Sequence, residues 1–235
     1  MTAKDGAMTA EVRTEVRTVR AGELDRYADG IREVYARAFA APPWNEDPAT
    51  ADAYAERLAR DALRPGFTAA VATAGGTVTG FATAWITPEV FPADRSYGQV
   101  AEALGAGRTR SWLCGALEVN ELAVAPEAHG AGVGAALLHT VTEAAPEGRC
   151  WLLTSVRAEA ALRLYERTGW RRIGAPVPGA AALVVLLGGV LSIRVGQAAA
   201  SGAVHRKALE RPHRGAIRAF RQRREVPCQA SRTRP

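Results

Sequence analysis

The chain has 235 residues, 48% of them hydrophobic, enough for one domain with a real core and room for tails. Its three cysteines, Cys114, Cys150 and Cys228, are scattered and lack CxxC spacing, which argues against a disulfide framework or a zinc site and favours a reducing compartment. The net charge of +6 is uneven: residues 194–235 hold 11 Lys+Arg and 2 Glu, a net of +9, so residues 1–193 carry −3. A mildly acidic body with a basic tail follows.

Residues 1–14 read as a disordered start, and residues 1–17 hold no apolar run of the kind a secretion signal needs. Val16–Ala21 alternates and predicts a first strand. Leu24, Tyr27, Ile31, Val34, Tyr35 and Phe39 keep helical spacing, predicting a helix over 22–39. "APPWNEDPA" breaks it. A second helix is expected over 50–63, capped by Thr50. Two strands around Gly75–Gly76 predict a hairpin. Residues 88–111 read as an insertion with one short helix. There follow a strand over 114–124, a glycine loop, a helix to Ala145, a strand over 150–156, a helix over 159–169, and strands over 170–174 and 181–188. Hairpins mixed with a β-α-β crossover predict a mixed α/β, α+β-like fold. The longest apolar run, 180–193, is 14 residues and contains Gly188 and Gly189. A membrane span needs about 20, so no membrane partner is expected and the cytoplasm is the expected location.

The strand before the glycines has a fault. Leu117 and Val119 are apolar at odd positions, Leu122 and Val124 at even ones. A strand of period two cannot keep both pairs on one face without an extra residue. A β-bulge at Asn120–Glu121 is therefore expected. It splays the strand from a neighbour and frees backbone N–H groups.

Gly130, Gly132 and Gly134 follow within five residues, at the start of a helix. Glycine there costs about 0.5–1 kcal/mol each against alanine, so close approach of backbone to an anion is the reading. No Lys-Ser/Thr follows Gly134, which excludes a Walker loop. The next strand ends "LLTSV" without a carboxylate, which disfavours a dinucleotide-binding loop. There is no G-x-S-x-G and no HExxH, so hydrolase and metalloprotease chemistry find no support.

"ELAVAPEAHGAGVGAALL" resembles the acetyl-CoA motif of the GNAT superfamily of N-acetyltransferases, a Q/R-x-x-G-x-G/A run after a bulged strand. "AEAALRLYERTGW" resembles the family's following helix, ending Tyr-Glu-(Arg/Lys)-x-Gly-(Phe/Trp). The likeness spans about 14–187 and is sharp over 117–173. It departs at His129, where the family has Gln or Arg, and at Ala158, where many members have Asn.

The resemblance implies a GNAT-type, mostly antiparallel central sheet with a bulged central strand flanked by helices, in a transferase domain over 15–188. It implies acetyl-CoA as co-substrate, no metal, and direct attack of a primary amine on the acetyl group. Backbone of His129, Gly130, Ala131, Gly132, Val133, Gly134 and Ala135 would hold the pyrophosphate. Backbone of Leu122, Ala123 and Val124 would pair with pantetheine and polarise the thioester carbonyl. Tyr165 would protonate the leaving thiolate. Reference values of about 8.5 for a thiol and 10 for a phenol require a local shift to close that gap. Glu118 or Glu121 would accept the amine proton, and the sequence does not choose. Trp44, Glu46 and Asp47, between the first two helices, suit a cationic amine. The acceptor is a small molecule or a peptide amine, and the resemblance allows a homodimer.

The tail over 189–235 has no place in the family pattern. It reads as a disordered extension, as an altered-frame extension, or as a nucleic-acid contact, since basic tails bind phosphate without reading sequence. The rival functional reading is a catalytically degenerate module that binds CoA or a partner.

Overall fold

The computed structural model describes residues 13–94, 96–177 and 182–189. The expected disordered start (but for Arg13 and Thr14) and the basic tail beyond Gly189 lie outside the described residues.

Strand β1 (Thr14–Val19) opens the fold, two residues earlier than the alternation suggests. The predicted first helix is two pieces: a 3-10 stretch over Ala21–Tyr27, then α1 (Ala28–Phe39). The apolar positions still do their work, with Leu24, Ile31, Val34, Tyr35 and Phe39 all buried. Helix α2 (Ala49–Asp61) starts from Pro48 rather than Thr50, which sits inside its first turn. The capping oxygen belongs to Asp47, whose Oδ1 accepts the Ala49 N–H at 2.8 Å.

Strands β2 (Thr68–Ala74) and β3 (Thr77–Ile86) form the hairpin. The insertion carries more helix than expected. It holds α3 (Tyr97–Leu104), the short α4 (Ala106–Arg108) and a π-turn over Thr109–Leu113. Cys114–Ala116 form the turn and bend that follow it, so β4 begins later than predicted, at Leu117, and runs to Val124. Then come α5 (Val133–Thr142), β5 (Arg149–Ser155), α6 (Glu159–Arg167), β6 (Arg171–Val177) and β7 (Leu183–Gly188).

The seven strands form one sheet in the order β1-β2-β3-β4-β5-β7-β6. Every pairing is antiparallel except β4 with β5. The chain goes out to β6 and returns to place β7 beside β5, a swap that no local pattern announces. Alternating side chains serve the two faces. One face packs Leu117, Val119, Leu152 and Leu186 against Leu137 and Leu138 of α5 and Leu162 of α6. The other face packs Val71, Phe81 and Ala123 against Ile31, Val34, Tyr54 and Leu58 of α1 and α2. Farther along that face Trp151, Val185 and Leu187 pack against Val100 of α3 and Leu113. The result is three layers, helix on sheet on helix. Among the described residues no helix is long and apolar enough to cross a membrane.

Candidate functional site

The fault in β4 is a bulge, and it sits where the sequence places it. Opposite β3, Glu121 faces Thr83 and Val119 faces Ala84, leaving Asn120 as the extra residue. Leu117 and Val119 before it, and Leu122 and Val124 after it, therefore join the same apolar cluster under α5. The same slip acts on the polar residues. Glu118 and Glu121, three apart, would point to opposite faces of a regular strand. With Asn120 out of step, both turn to the face opposite that cluster, and both line one cleft.

The cleft follows from the pairing. β4 pairs β5 only through Leu117, Val119 and the residue between them. From Asn120 onward β4 keeps β3 as its partner and has no ladder partner on the β5 side, while β5 turns to β7. A bulge increases local twist and bends its strand, and here the strands part immediately after their last shared pair. The opening has a volume of about 420 Å³. Tyr165 of α6 lines it from one layer, and Tyr35, Trp44 and Arg57 line it from the opposite layer.

Glu118 is buried, and Tyr97 Oη from the insertion lies 2.9 Å from each of its carboxylate oxygens. Glu121 is more open, with 17% of its side chain exposed, and accepts a hydrogen bond from Arg57 Nη2 at 3.0 Å. Trp44 packs edge-on against Phe39, with ring centroids 5.6 Å apart. Glu46 accepts the Tyr35 hydroxyl at 2.8 Å. Asp47 differs from its expected place: it is not among the residues lining the cleft, and its carboxylate caps α2.

Tyr165 lines the cleft but is rooted in the core, 6.0 Å from the Trp170 ring. Burial, and secondarily the Glu121 charge, push its phenol well above the ordinary value of 10.0. The local shift therefore widens the gap to a thiol instead of closing it. The phenol keeps its proton firmly, because an anion in that apolar setting loses its hydration.

The glycine loop adjoins the open end of β4. Arg37 of α1 forks onto Glu127, with Nη1–Oε1 at 2.9 Å and Nη2–Oε2 at 2.5 Å. His129 Nε2 lies 3.0 Å from the Val124 carbonyl oxygen, tying the loop to the strand end. Gly130 and Gly132 have φ of 79° and 80°, a conformation that favours glycine, and a Cβ on either would meet nothing within 4 Å. Gly132 is the N-cap of α5, with no side chain capping it. The first-turn N–H groups of a helix have no partner within the helix, and they carry its positive end. Gly134 has a different reason to be glycine: a Cβ there would lie 3.1 Å from Leu164 of α6. The uncapped turn, with open space beside two glycines, fits a phosphate-bearing group.

Sequence reasoning missed Arg57, Tyr97 and Tyr35. Arg57 had a signal. Ala51, Tyr54, Leu58 and Asp61 form the buried stripe of α2, so an acid sits at a core position and needs a cation beside it. Tyr97 lies in the insertion, where no periodicity spoke for it. Among the described residues no group of three or more His, Cys, Asp or Glu is placed to hold a metal ion.

The fold has counterparts among solved structures. PH1933 from Pyrococcus horikoshii matches at 16% identity and a TM-score of 0.52, over 74% of this chain and 98% of that one. A GNAT-family structure from Desulfovibrio desulfuricans matches at 19% identity and 0.50, over 75% and 97%. YncA from Salmonella typhimurium, solved with acetyl-CoA as its cofactor, matches at 17% identity and 0.50, over 75% and 94%. No curated protein matches the chain. The model of the acetyltransferase (GNAT) family matches residues 28–170, across the cleft, the bulged strand and the glycine loop. The chain belongs to the GNAT family of acetyltransferases, which transfer acetyl groups from acetyl-CoA.

Proposed function

We propose that residues 15–188 form an N-acetyltransferase domain that moves the acetyl group of acetyl-CoA to a primary amine by direct attack. The observation that carries this reading is the bulge at Asn120, which puts two carboxylates in the cleft and leaves the end of β4 without a β5 partner. When bound, acetyl-CoA supplies an acyl group activated as a thioester.

The roles of the chain's own residues follow from their places. The first turn of α5 and the backbone at Gly130 and Gly132 hold the pyrophosphate, with His129 bracing the loop. Backbone groups of Leu122, Ala123 and Val124 line the open strand edge and orient the acyl arm. Glu121 takes the proton of the incoming ammonium. It is chosen over Glu118 because Glu118 is buried with both oxygens on one tyrosine hydroxyl, whereas Glu121 keeps some exposure. Trp44 and Glu46 give the acceptor an aromatic wall and a carboxylate. The Tyr165 phenol stays protonated and donates a hydrogen bond to coenzyme A, which leaves as its thiolate and takes up its proton from solvent. Holding two substrates in line supplies much of the rate.

The test has two stages. Calorimetry measures acetyl-CoA binding to the full chain. Thiol release is then followed with polyamines, aminoglycosides, amino acids and peptides with free N-termini as acceptors. Micromolar binding with turnover of one amine class is the expected result. Folded protein that does not bind acetyl-CoA would overturn the reading and leave the interaction-module alternative.

A further inference from the structure

The side chain of Arg57 spans two parts of the molecule. Its Nη2 donates to Glu121 Oε1 at 3.0 Å, across 64 residues of sequence. Its guanidinium carbon lies over the Tyr54 ring, 5.0 Å from the centroid. Its buried Nε sits 3.9 Å from Asp61 Oδ2, within ion-pair range but with no hydrogen-bond partner. Asp61 is itself buried, and its other oxygen accepts Arg64 Nε at 2.7 Å. Arg64 in turn lies over the Trp85 ring at 4.6 Å. Two arginines and two carboxylates thus form a row from the end of α2 into the cleft, fixed at its rear by two aromatic rings.

A purely structural account stops at Asp61. A buried carboxylate needs a cation, and Arg64 at 2.7 Å provides one. Arg57 is held too far from Asp61 to hydrogen-bond with it, and its closest contact is the carboxylate in the cleft. We propose that Arg57 is a positioning residue for acetyl transfer: braced by Tyr54 and Asp61, it fixes the Glu121 carboxylate in the orientation that receives the acceptor's proton. This rests on the reading of Glu121 as the proton acceptor.

The surroundings of Glu121 sharpen the expectation. Tyr54 from α2, Tyr35 from α1 and Tyr165 from α6 all feel its negative charge, and Arg57 opposes that charge at Tyr35 and Tyr54. Glu118 shares its strand face, and Glu46 lines the same cleft. Arg57 thus sets a positive charge against the tyrosines and carboxylates gathered around Glu121. Lysine could keep the charge but not the planar fork that reaches Glu121 while lying over a ring. Charge and position can therefore be separated.

The experiment uses the full chain as wild type, Arg57→Lys, Arg57→Leu and Glu121→Gln. The Glu121 carboxyl is followed by carbon-detected NMR across pH, assigned by its loss in Glu121→Gln. Thiol release from acetyl-CoA is followed over the same range with spermidine, kanamycin, lysine and a free N-terminal peptide. In Arg57→Leu the Glu121 titration moves to higher pH, and turnover at about pH 6 falls ~10-fold more than at about pH 9, the effect expected when a cation leaves a carboxylate. In Arg57→Lys the titration returns most of the way while kcat stays low and KM for acetyl-CoA is unchanged. If Arg57→Leu does not fold, the split in Arg57→Lys carries the test. An unmoved Glu121 titration in folded Arg57→Leu, or wild-type kcat in Arg57→Lys, overturns the proposal alone. A fully active Glu121→Gln overturns the proton-acceptor reading, and the proposal with it.

Discussion

Gly132→Asp separates a phosphate-binding loop from a glycine-rich turn. The position has φ of 80° and open space where a Cβ would go. A side chain there meets no clash, so the cost to the fold is backbone strain alone, about 1–2 kcal/mol for alanine. Aspartate tolerates that conformation better than most residues and is a favoured N-cap, so its cost is smaller. For a domain of this size 1 kcal/mol lowers Tm by about 2–4 °C. The effect on a bound pyrophosphate is larger. Two like charges 4 Å apart repel by about 1 kcal/mol in water and about 4 kcal/mol at an effective dielectric of 20. At 1.4 kcal/mol per decade, that weakens acetyl-CoA binding by roughly 5- to 1000-fold. Calorimetry on Gly132→Asp and Gly132→Ala, with Tm measured beside it, gives the comparison. Aspartate should lose far more affinity than alanine while losing less stability, and added salt should restore part of the loss. Wild-type affinity in Gly132→Asp would refute the placement of the pyrophosphate. Equal losses in the two variants would refute the electrostatic argument.

Other outcomes follow from the same structure. A Cβ on Gly188 would lie 2.6 Å from Trp170 and 2.8 Å from Cys150, so Gly188→Ala should destabilise by about 1–3 kcal/mol in chemical denaturation. Tyr35 and Tyr165 have folded-state values above the ordinary 10.0. Their contribution to stability is complete below about pH 10 and is lost as pH rises beyond it, so the tyrosinate absorbance of these two, taken as the difference from their Phe variants, should appear only together with unfolding. Tyr165→Phe should slow turnover by about 10-fold, the loss of one hydrogen bond to the departing sulfur, with acetyl-CoA affinity unchanged; an equal loss of affinity would mark a packing role instead. Burial pushes the Cys150 thiol up to about 12, so in a Cys228→Ser background it should resist alkylation at neutral pH until the chain unfolds.

The most informative sequence signal was the broken alternation of Leu117, Val119, Leu122 and Val124. It gave the bulge, and the bulge opened the cleft. The glycine cluster gave the helix start, though it merged two demands, positive φ at Gly130 and Gly132 and close helix packing at Gly134. Long-range swaps were not legible. The return of β7 between β5 and β6 depends on which edge buries more, a property of the assembled sheet. Asp47 read as an acceptor ligand because its charge was visible and its backbone neighbour was not. Tyr165 was found by its motif, while the direction of its shift depended on burial and on the Glu121 charge, which only the fold supplies. For Arg57, the acid at the buried Asp61 position called for a cation nearby, but nothing within α2 announces a partner 64 positions away.

Asn120 works as a change of parity within β4. Upstream of it odd positions face α5 and α6; downstream, even positions do. Losing that one residue would not simply shorten the strand. It would restore plain alternation, with Glu121 still on the cleft face and Leu122 still on the apolar one, but it would remove the bend that parts β4 from β5. A chain without Asn120 should therefore keep β4 and its apolar face while losing the gap beside β5, and with it acetyl-CoA binding. The strand reads its residues two at a time, and the cleft exists because it miscounts once.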